Sequence, residues 1–203
     1  MRFFTPAFLI VAALTAAGPL PALAEGPAAD DQVSTIPDTT VATDADPLDR
    51  LYQRLKRTRD AGRAADLARQ IDEYLDRSPS PTVSLLIEWS DDSENNGRTA
   101  SALDFLSEAI ALRPDEAAPY RKRAVLHYTH GDLERAMDDI RTSLSFEPRD
   151  FGALGLMATI LDRTGREQAA VEVWRRYLEL YPADRDVASF VERTENARAG
   201  KRI

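Results

Sequence analysis

Residues 130–148, HGDLERAMDDIRTSLSFEP, and residues 164–182, TGREQAAVEVWRRYLELYP, carry one pattern twice. Each segment has a glycine at its second position and a proline 17 residues later. Small and apolar residues recur at the same places between them, with the spacing of one helix face. The two copies lie 34 residues apart, and a fixed period of this size indicates a repeat architecture.

The same period runs through most of the chain. The repeated glycines and prolines are Gly62, Gly97, Gly131 and Gly165, followed by Pro79, Pro114, Pro148 and Pro182. The last three pairs keep the interval of 34, and the first pair stands 35 residues before the second. A glycine can end a first helix as a C-cap, and a proline follows a second helix because no helix continues through it. Each copy is therefore predicted to be a helix–turn–helix hairpin.

This pattern resembles the tetratricopeptide repeat (TPR) family in its period, its small-residue columns and its closing proline. The resemblance implies an all-α TPR solenoid over residues 47–183, followed by a capping segment over 184–203. Four copies are expected, at about 48–81, 82–116, 117–150 and 151–184. The first copy departs from the pattern because Leu67 replaces the small residue, and the second carries Ser90 and Ser93 at positions that are usually small or apolar.

Nine helices are expected from these signals. Their predicted ranges are 48–60, 63–77, 82–95, 98–112, 116–129, 132–146, 150–163, 166–180 and 184–199. Apolar residues of the last helix form one stripe, Val187, Phe190, Val191 and Ala197, which is typical of a helix that caps a repeat array. Three aromatic residues near the last hairpin could pack against this helix or could support self-association; they are Trp174, Tyr177 and Tyr181.

Residues 1–24 have the pattern of a secretory signal peptide. Arg2 precedes an apolar run, and the segment ends in Ala-Leu-Ala before Glu25. We expect cleavage after Ala24, a periplasmic location and no stable membrane insertion afterwards; retention of the segment as an anchor is the alternative.

Residues 25–46 contain six acidic and no basic residues, and they are predicted to form a disordered acidic linker.

Composition excludes several classes of function. The 203 residues include 26 Lys and Arg against 34 Asp and Glu, for a net charge of −8, and no cysteine. An acidic chain without a basic stripe is a poor candidate for binding nucleic acid. The absence of cysteine excludes disulfides, Cys-ligated zinc and a Cys nucleophile.

No motif in the sequence predicts catalysis, a metal site or a cofactor. His127 and His130 lie three residues apart but have no evident third ligand, and His127 falls in a core column, so a core histidine is expected. Asp138 and Asp139 are expected on an outward helix face, paired with nearby arginines. The phosphate-binding loop, the nucleophile elbow and the two-histidine zinc motif do not occur. The chain is predicted not to be an enzyme.

The resemblance to TPR proteins implies that the first helices of the hairpins line a concave surface that binds peptides. The candidate binding residues on this face are Arg121, Val125, Tyr128, Gly152, Gly155, Thr159 and Asp162. Two glycines three residues apart in one helix could form a notch for a partner, or they could allow a neighbouring helix to pack closely.

The leading hypothesis is a periplasmic scaffold or adaptor that binds a protein or peptide partner. Two alternatives stay open, which are a helical protein with an unrecognised catalytic or small-ligand site, and a structural protein that associates with itself.

Overall fold

The computed structural model describes residues 46–200, and this range is all-α. The predicted signal peptide and almost all of the predicted acidic linker lie outside the described residues. The helices of the described range are α1 Pro47–Arg57, α2 Ala61–Leu75, α3 Pro81–Asn95, α4 Thr99–Leu112, α5 Ala117–Thr129, α6 Leu133–Phe146, α7 Phe151–Arg163, α8 Glu167–Leu180 and α9 Arg185–Gly200. These bounds agree with the expected helices to within three residues. None of these helices combines the length and the apolar character needed to cross a membrane.

Aspartates begin several of these helices, because a side-chain oxygen can accept a hydrogen bond from an otherwise unpaired N–H of the first turn. Asp60 accepts from the backbone N–H of Arg63 at 2.8 Å, and Asp150 accepts from that of Ala153 at 2.9 Å. Pro81 is the first residue of α3, where its missing N–H costs nothing. The local sequence thus specifies where these helices start.

Glycine makes the turn inside three of the hairpins, as predicted. Gly97, Gly131 and Gly165 have φ angles of 69°, 83° and 75°, a left-handed conformation that side chains disfavour. Gly62 is different, because it lies in the first turn of α2 rather than between two helices. The first hairpin turns instead at Thr58, whose backbone is extended. The expected glycine turn of the first copy is therefore wrong.

The hairpins α3–α4, α5–α6 and α7–α8 stack in chain order. In each junction the second helix of one hairpin packs on the first helix of the next, so α4 contacts α5 and α6 contacts α7. Small residues allow this close approach, since Ala102, Ala136 and Ala170 are fully buried. Helix α9 packs on α8 and buries Val191, whereas Ala197 of its predicted stripe is exposed.

The first hairpin does not continue this stack. Helices α1 and α2 pack against α7 and α8 instead of covering α3. Tyr52 of α1 donates a hydrogen bond to the backbone oxygen of Arg149 at 2.7 Å, and its ring meets that of Phe151 edge to face at 6.4 Å. The repeat array therefore consists of three stacked hairpins, with the N-terminal hairpin docked at another place.

The aromatic residues of the last hairpin are engaged within the chain. The rings of Trp174 and of Phe190 in the capping helix meet edge to face with their centroids 6.5 Å apart. Tyr177 donates a hydrogen bond to Asp184 at 2.7 Å. The ring of Tyr181 packs on that of Phe151 with their centroids 5.6 Å apart. These side chains therefore pack against α7, α9 and the core shared with the first hairpin, which agrees with the packing interpretation.

Two glycine-to-alanine substitutions should have opposite effects on stability. Gly131→Ala should lower the free energy of unfolding by about 1–2 kcal/mol, because the left-handed backbone crowds a Cβ atom. Gly62→Ala should raise it by about 0.5–1 kcal/mol, because Gly62 is helical and a Cβ there would meet its nearest atom at 3.5 Å. Urea denaturation followed by circular dichroism measures both changes. A loss of stability in Gly62→Ala would contradict its placement inside α2.

Candidate binding groove

A groove lies between the first helices of the stacked hairpins, with the end of α2 at one side. It encloses a cavity of about 480 Å³. Its lining residues are Asp76, Ser90, Asp91, Glu94, Asn95, Leu106, Arg121, Lys122, Val125, Leu126, Ile140, Gly152, Ala153 and Leu156. Its buried apolar residues belong to the cores of the hairpins, and its charged residues lie on α2, α3 and α5.

Arg121 is the central charged residue of the groove. Its guanidinium donates hydrogen bonds to Asp72 of α2 and to Asp76 directly after that helix, and its Nε lies 2.9 Å from a carboxylate oxygen of Asp150 in an ion pair. The side chain is only 14% exposed. Burial alone would lower the pKa of Arg121, but the surrounding carboxylates together raise it, so the guanidinium stays charged. Burial raises the pKa of both Asp72 and Asp150, although Arg121 opposes this shift.

Lys122 neutralises a second set of carboxylates. Its ammonium lies 3.2 Å from an oxygen of Asp76 and 3.1 Å from one of Asp91. Glu94 lies farther along the same wall, where its hydrogen bonds with His130 and Thr99 lower its pKa. The cations of the groove are therefore already paired, and the carboxylates around them outnumber them.

The two glycines of α7 meet atoms of this chain rather than open space. A Cβ on Gly152 would come within 2.8 Å of the Arg121 guanidinium and 3.2 Å of Asp72. A Cβ on Gly155 would lie 3.5 Å from Trp174 and 3.6 Å from Tyr177. The close-packing interpretation therefore describes Gly155, and Gly152 gives the guanidinium room to reach its carboxylates.

The structure brings together three of the seven predicted binding residues. Arg121, Val125 and Gly152 line the cavity, and Val125 is 46% exposed. The other four are Tyr128, Gly155, Thr159 and Asp162, which lie outside the cavity lining. The ring of Tyr128 lies under the guanidinium of Arg163 at 5.2 Å, and Thr159 donates to the backbone oxygen of Gly155 at 2.8 Å.

Several important residues of the groove were not among the predicted ones. Asp72 and Asp76 belong to the first hairpin, which was expected to be the first repeat of a four-repeat solenoid. Nothing in the local pattern marks either carboxylate. The sequence does mark Asp150 as a helix N-cap, because an aspartate directly before a helix is a typical one. That signal predicts its hydrogen bond to Ala153 but not its pairing with Arg121.

The histidines and the paired aspartates have structural roles in the described range. His127 is buried, as expected, and burial lowers its pKa. Asp139 is also buried and accepts two hydrogen bonds of 2.8 Å from Arg123, so its predicted outward position is wrong. The carboxylate of Asp139 faces inward because the guanidinium of Arg123 on α5 lies opposite it. Within residues 46–200, no three His, Asp or Glu side chains are grouped so that they could hold a metal ion.

The sequence is similar to that of a TPR repeat-containing protein of Rhizobium etli. The two are 38% identical over 204 aligned residues, which cover 100% of this chain and 98% of the relative. The chain belongs to the TPR repeat proteins. No protein-family model matches it. A more distant similarity connects it to the Bos taurus SGT1 homolog, at 29% identity over 100 residues, covering 49% of this chain and 30% of that protein.

Solved structures of TPR domains share the fold. The first TPR of Spaghetti (RPAP3), bound to the HSP90 peptide SRMEEVD, has a TM-score of 0.54 at 17% identity and covers 59% of this TPR protein and 95% of that chain. MamA has a TM-score of 0.53 at 14% identity and covers 76% of this chain and 85% of its own. TPR proteins generally mediate protein–protein interactions and generally act as non-catalytic scaffolds.

Replacing Asp150 should separate its two roles. Asp150→Ala removes both the N-cap of α7 and the charge opposite Arg121, so the free energy of unfolding should fall by about 3 kcal/mol. Asp150→Asn keeps an oxygen that can cap the helix, so its loss should be about 1 kcal/mol smaller. Chemical denaturation of both variants provides the comparison. Equal losses would show that the side-chain oxygen does not act as a cap.

Proposed function

We propose that this TPR protein is an adaptor of the periplasm that holds an extended segment of a partner protein in the groove between α3, α5 and α7. One observation carries the proposal. Val125 stands 46% exposed in an open cavity of about 480 Å³, and its charged neighbours are already paired with each other. An exposed apolar side chain in a concave surface offers a place for an apolar side chain of a partner.

The charges of the groove favour a basic segment. The side chains of Arg121 and Lys122 are already paired with carboxylates of this chain. The side chain of Asp91 is still half exposed and that of Glu94 about one-third exposed. Partner lysines or arginines would approach these carboxylates, and an acidic segment would meet like charge without a free cation to receive it.

This preference differs from what the RPAP3 domain binds, since its peptide SRMEEVD is rich in acidic residues. In this chain the guanidinium of Arg121 is held by Asp72 and Asp76 of the first hairpin, so an acidic peptide would have to displace them. We infer a groove that selects apolar and basic side chains together.

Two fluorescent peptides with the same leucines test the proposal, one with lysines and one with glutamates between them. Fluorescence anisotropy should show binding of the lysine peptide and much weaker binding of the glutamate peptide. Val125→Arg should weaken binding of the lysine peptide by about tenfold or more, because it adds bulk and positive charge to the groove.

Phe146→Arg is the matched control, since Phe146 is 44% exposed and lies outside the cavity. It should leave the affinity unchanged. Preference for the glutamate peptide, or equal effects of the two arginine variants, would overturn the assignment of the groove.

The periplasmic location is supported by the signal-peptide pattern of residues 1–24. When the full chain is produced in a bacterium, the mature protein should begin at Glu25 and appear in the periplasmic fraction. N-terminal sequencing after fractionation measures both. An intact N-terminus in the membrane fraction would indicate a retained anchor and would contradict cleavage.

A further inference from the structure

The leading face of the array has no hairpin stacked on it among residues 46–200. We define this face by residues of α3, of α4 and of the turn between them, namely Leu85, Trp89, Asp92, Arg98, Phe105 and Leu112. The first hairpin, which would cover this face in a regular array, packs on α7 and α8. Leu85 is 41% exposed and Trp89 is 45% exposed. Large apolar side chains are therefore presented together at the end of the stack.

The internal repeat shows what the same positions do in the next two hairpins. Moving 34 or 68 residues along the chain from Leu85 leads to Pro119 and Ala153, and from Asp92 to Leu126 and Ile160. All four of these later residues are buried. Leu126 packs in one core with α4, the second helix of the preceding hairpin. The leading face is thus a stacking surface whose partner is missing from the described range.

The centre of the leading face is aromatic. Trp89 and Phe105 contact each other with their ring centroids 5.5 Å apart. At the equivalent place one repeat later, Arg123 pairs with Asp139 and also donates to Ser107 of the preceding hairpin at 3.1 Å. A stacking contact in the interior of the array is therefore replaced at its end by an aromatic pair of which Trp89 is exposed and Phe105 is half-buried. Aromatic residues are enriched where proteins bind each other.

The charges of the leading face are self-complementary. Asp92 and Arg98 flank the Trp89–Phe105 pair at the turn between α3 and α4. Within residues 46–200 neither side chain has an ion-pair partner. A two-fold axis parallel to the helices would place α3 of one copy over α4 of the other. Trp89 would then face Phe105 of the second copy, and Asp92 would face its Arg98, twice in each dimer.

From this arrangement we infer that the leading face binds the leading face of a second copy of this chain, forming a two-fold symmetric dimer. The contact continues the stacking mode of the array, because a first helix packs on a second helix here as α5 packs on α4. Both arrays then extend away from the axis, and the groove lined by Val125 is not part of the interface. The inference is independent of the ligand proposed for that groove.

Sedimentation equilibrium of the purified chain, as processed by an expressing bacterium, should show a monomer–dimer equilibrium. Trp89→Glu should raise the dissociation constant about thirtyfold or more, because the residue lies at the centre of the interface. Val125→Arg is the control with a similarly exposed residue in the groove, and it should leave the dimer intact. A monomer mass at every concentration, as expected if another segment or another protein covers this face, would overturn the inference.

Charge reversal provides a second test that does not alter the aromatic centre. Asp92→Arg and Arg98→Asp should each weaken self-association about tenfold or more, because like charges would face each other across the axis. An equimolar mixture of the two variants should recover the association, since each new charge meets its opposite in the heterodimer. Both residues are exposed, so folding should be preserved, as circular dichroism verifies. Failure of the mixture to associate would exclude the proposed two-fold pairing.

Discussion

The buried guanidinium of Arg121 is the constraint on which the arrangement of this chain depends. A charge that is removed from water is stable only where carboxylates and hydrogen-bond acceptors replace the solvent. Here the replacements come from two places at once, Asp72 and Asp76 at the end of α2 and Asp150 at the start of α7. Because guanidinium presents its donors in a fixed fork, the first hairpin and the third stacked hairpin are both oriented relative to α5.

The position of the first hairpin gives the molecule two surfaces of different character. Docking brings Asp76 to the groove, so the groove has paired cations and an excess of carboxylates beside an exposed Val125. The same docking leaves the start of the stack uncovered, with Leu85 in a position that later repeats bury and Trp89 exposed beside it. One surface favours basic and apolar segments, and the other offers an aromatic patch with one acidic and one basic neighbour.

Glycine and alanine positions explain why a repeat with little sequence identity to other TPR domains keeps their fold. Fully buried alanines let paired helices approach closely, and left-handed glycines reverse the chain between them. The first hairpin lacks both the buried alanine and the left-handed glycine, since Leu67 stands in the small-residue column and Gly62 lies inside α2. With a bulky residue in that column, α2 instead shares a core with Phe151 and Tyr177.

Local chemistry in the sequence was sufficient to predict the helices of the described range, three of the glycine turns and the all-α repeat fold. These features depend on residues that are close in the chain, such as an aspartate before a first turn or a glycine at a helix end. The binding face was predicted less well, because only Arg121, Val125 and Gly152 of the candidates meet in the groove.

Three-dimensional packing determined the rest. The pairing of Arg121 with Asp72 and Asp76 joins residues 45 to 49 positions apart, and no local period records such a contact. The first hairpin is held in place by the pairing of that guanidinium with Asp72 and Asp76 and by a core shared with Phe151, and both depend on residues distant in the sequence. The set of residues that lines the groove and the exposure of Trp89 both follow from this docking of the first hairpin.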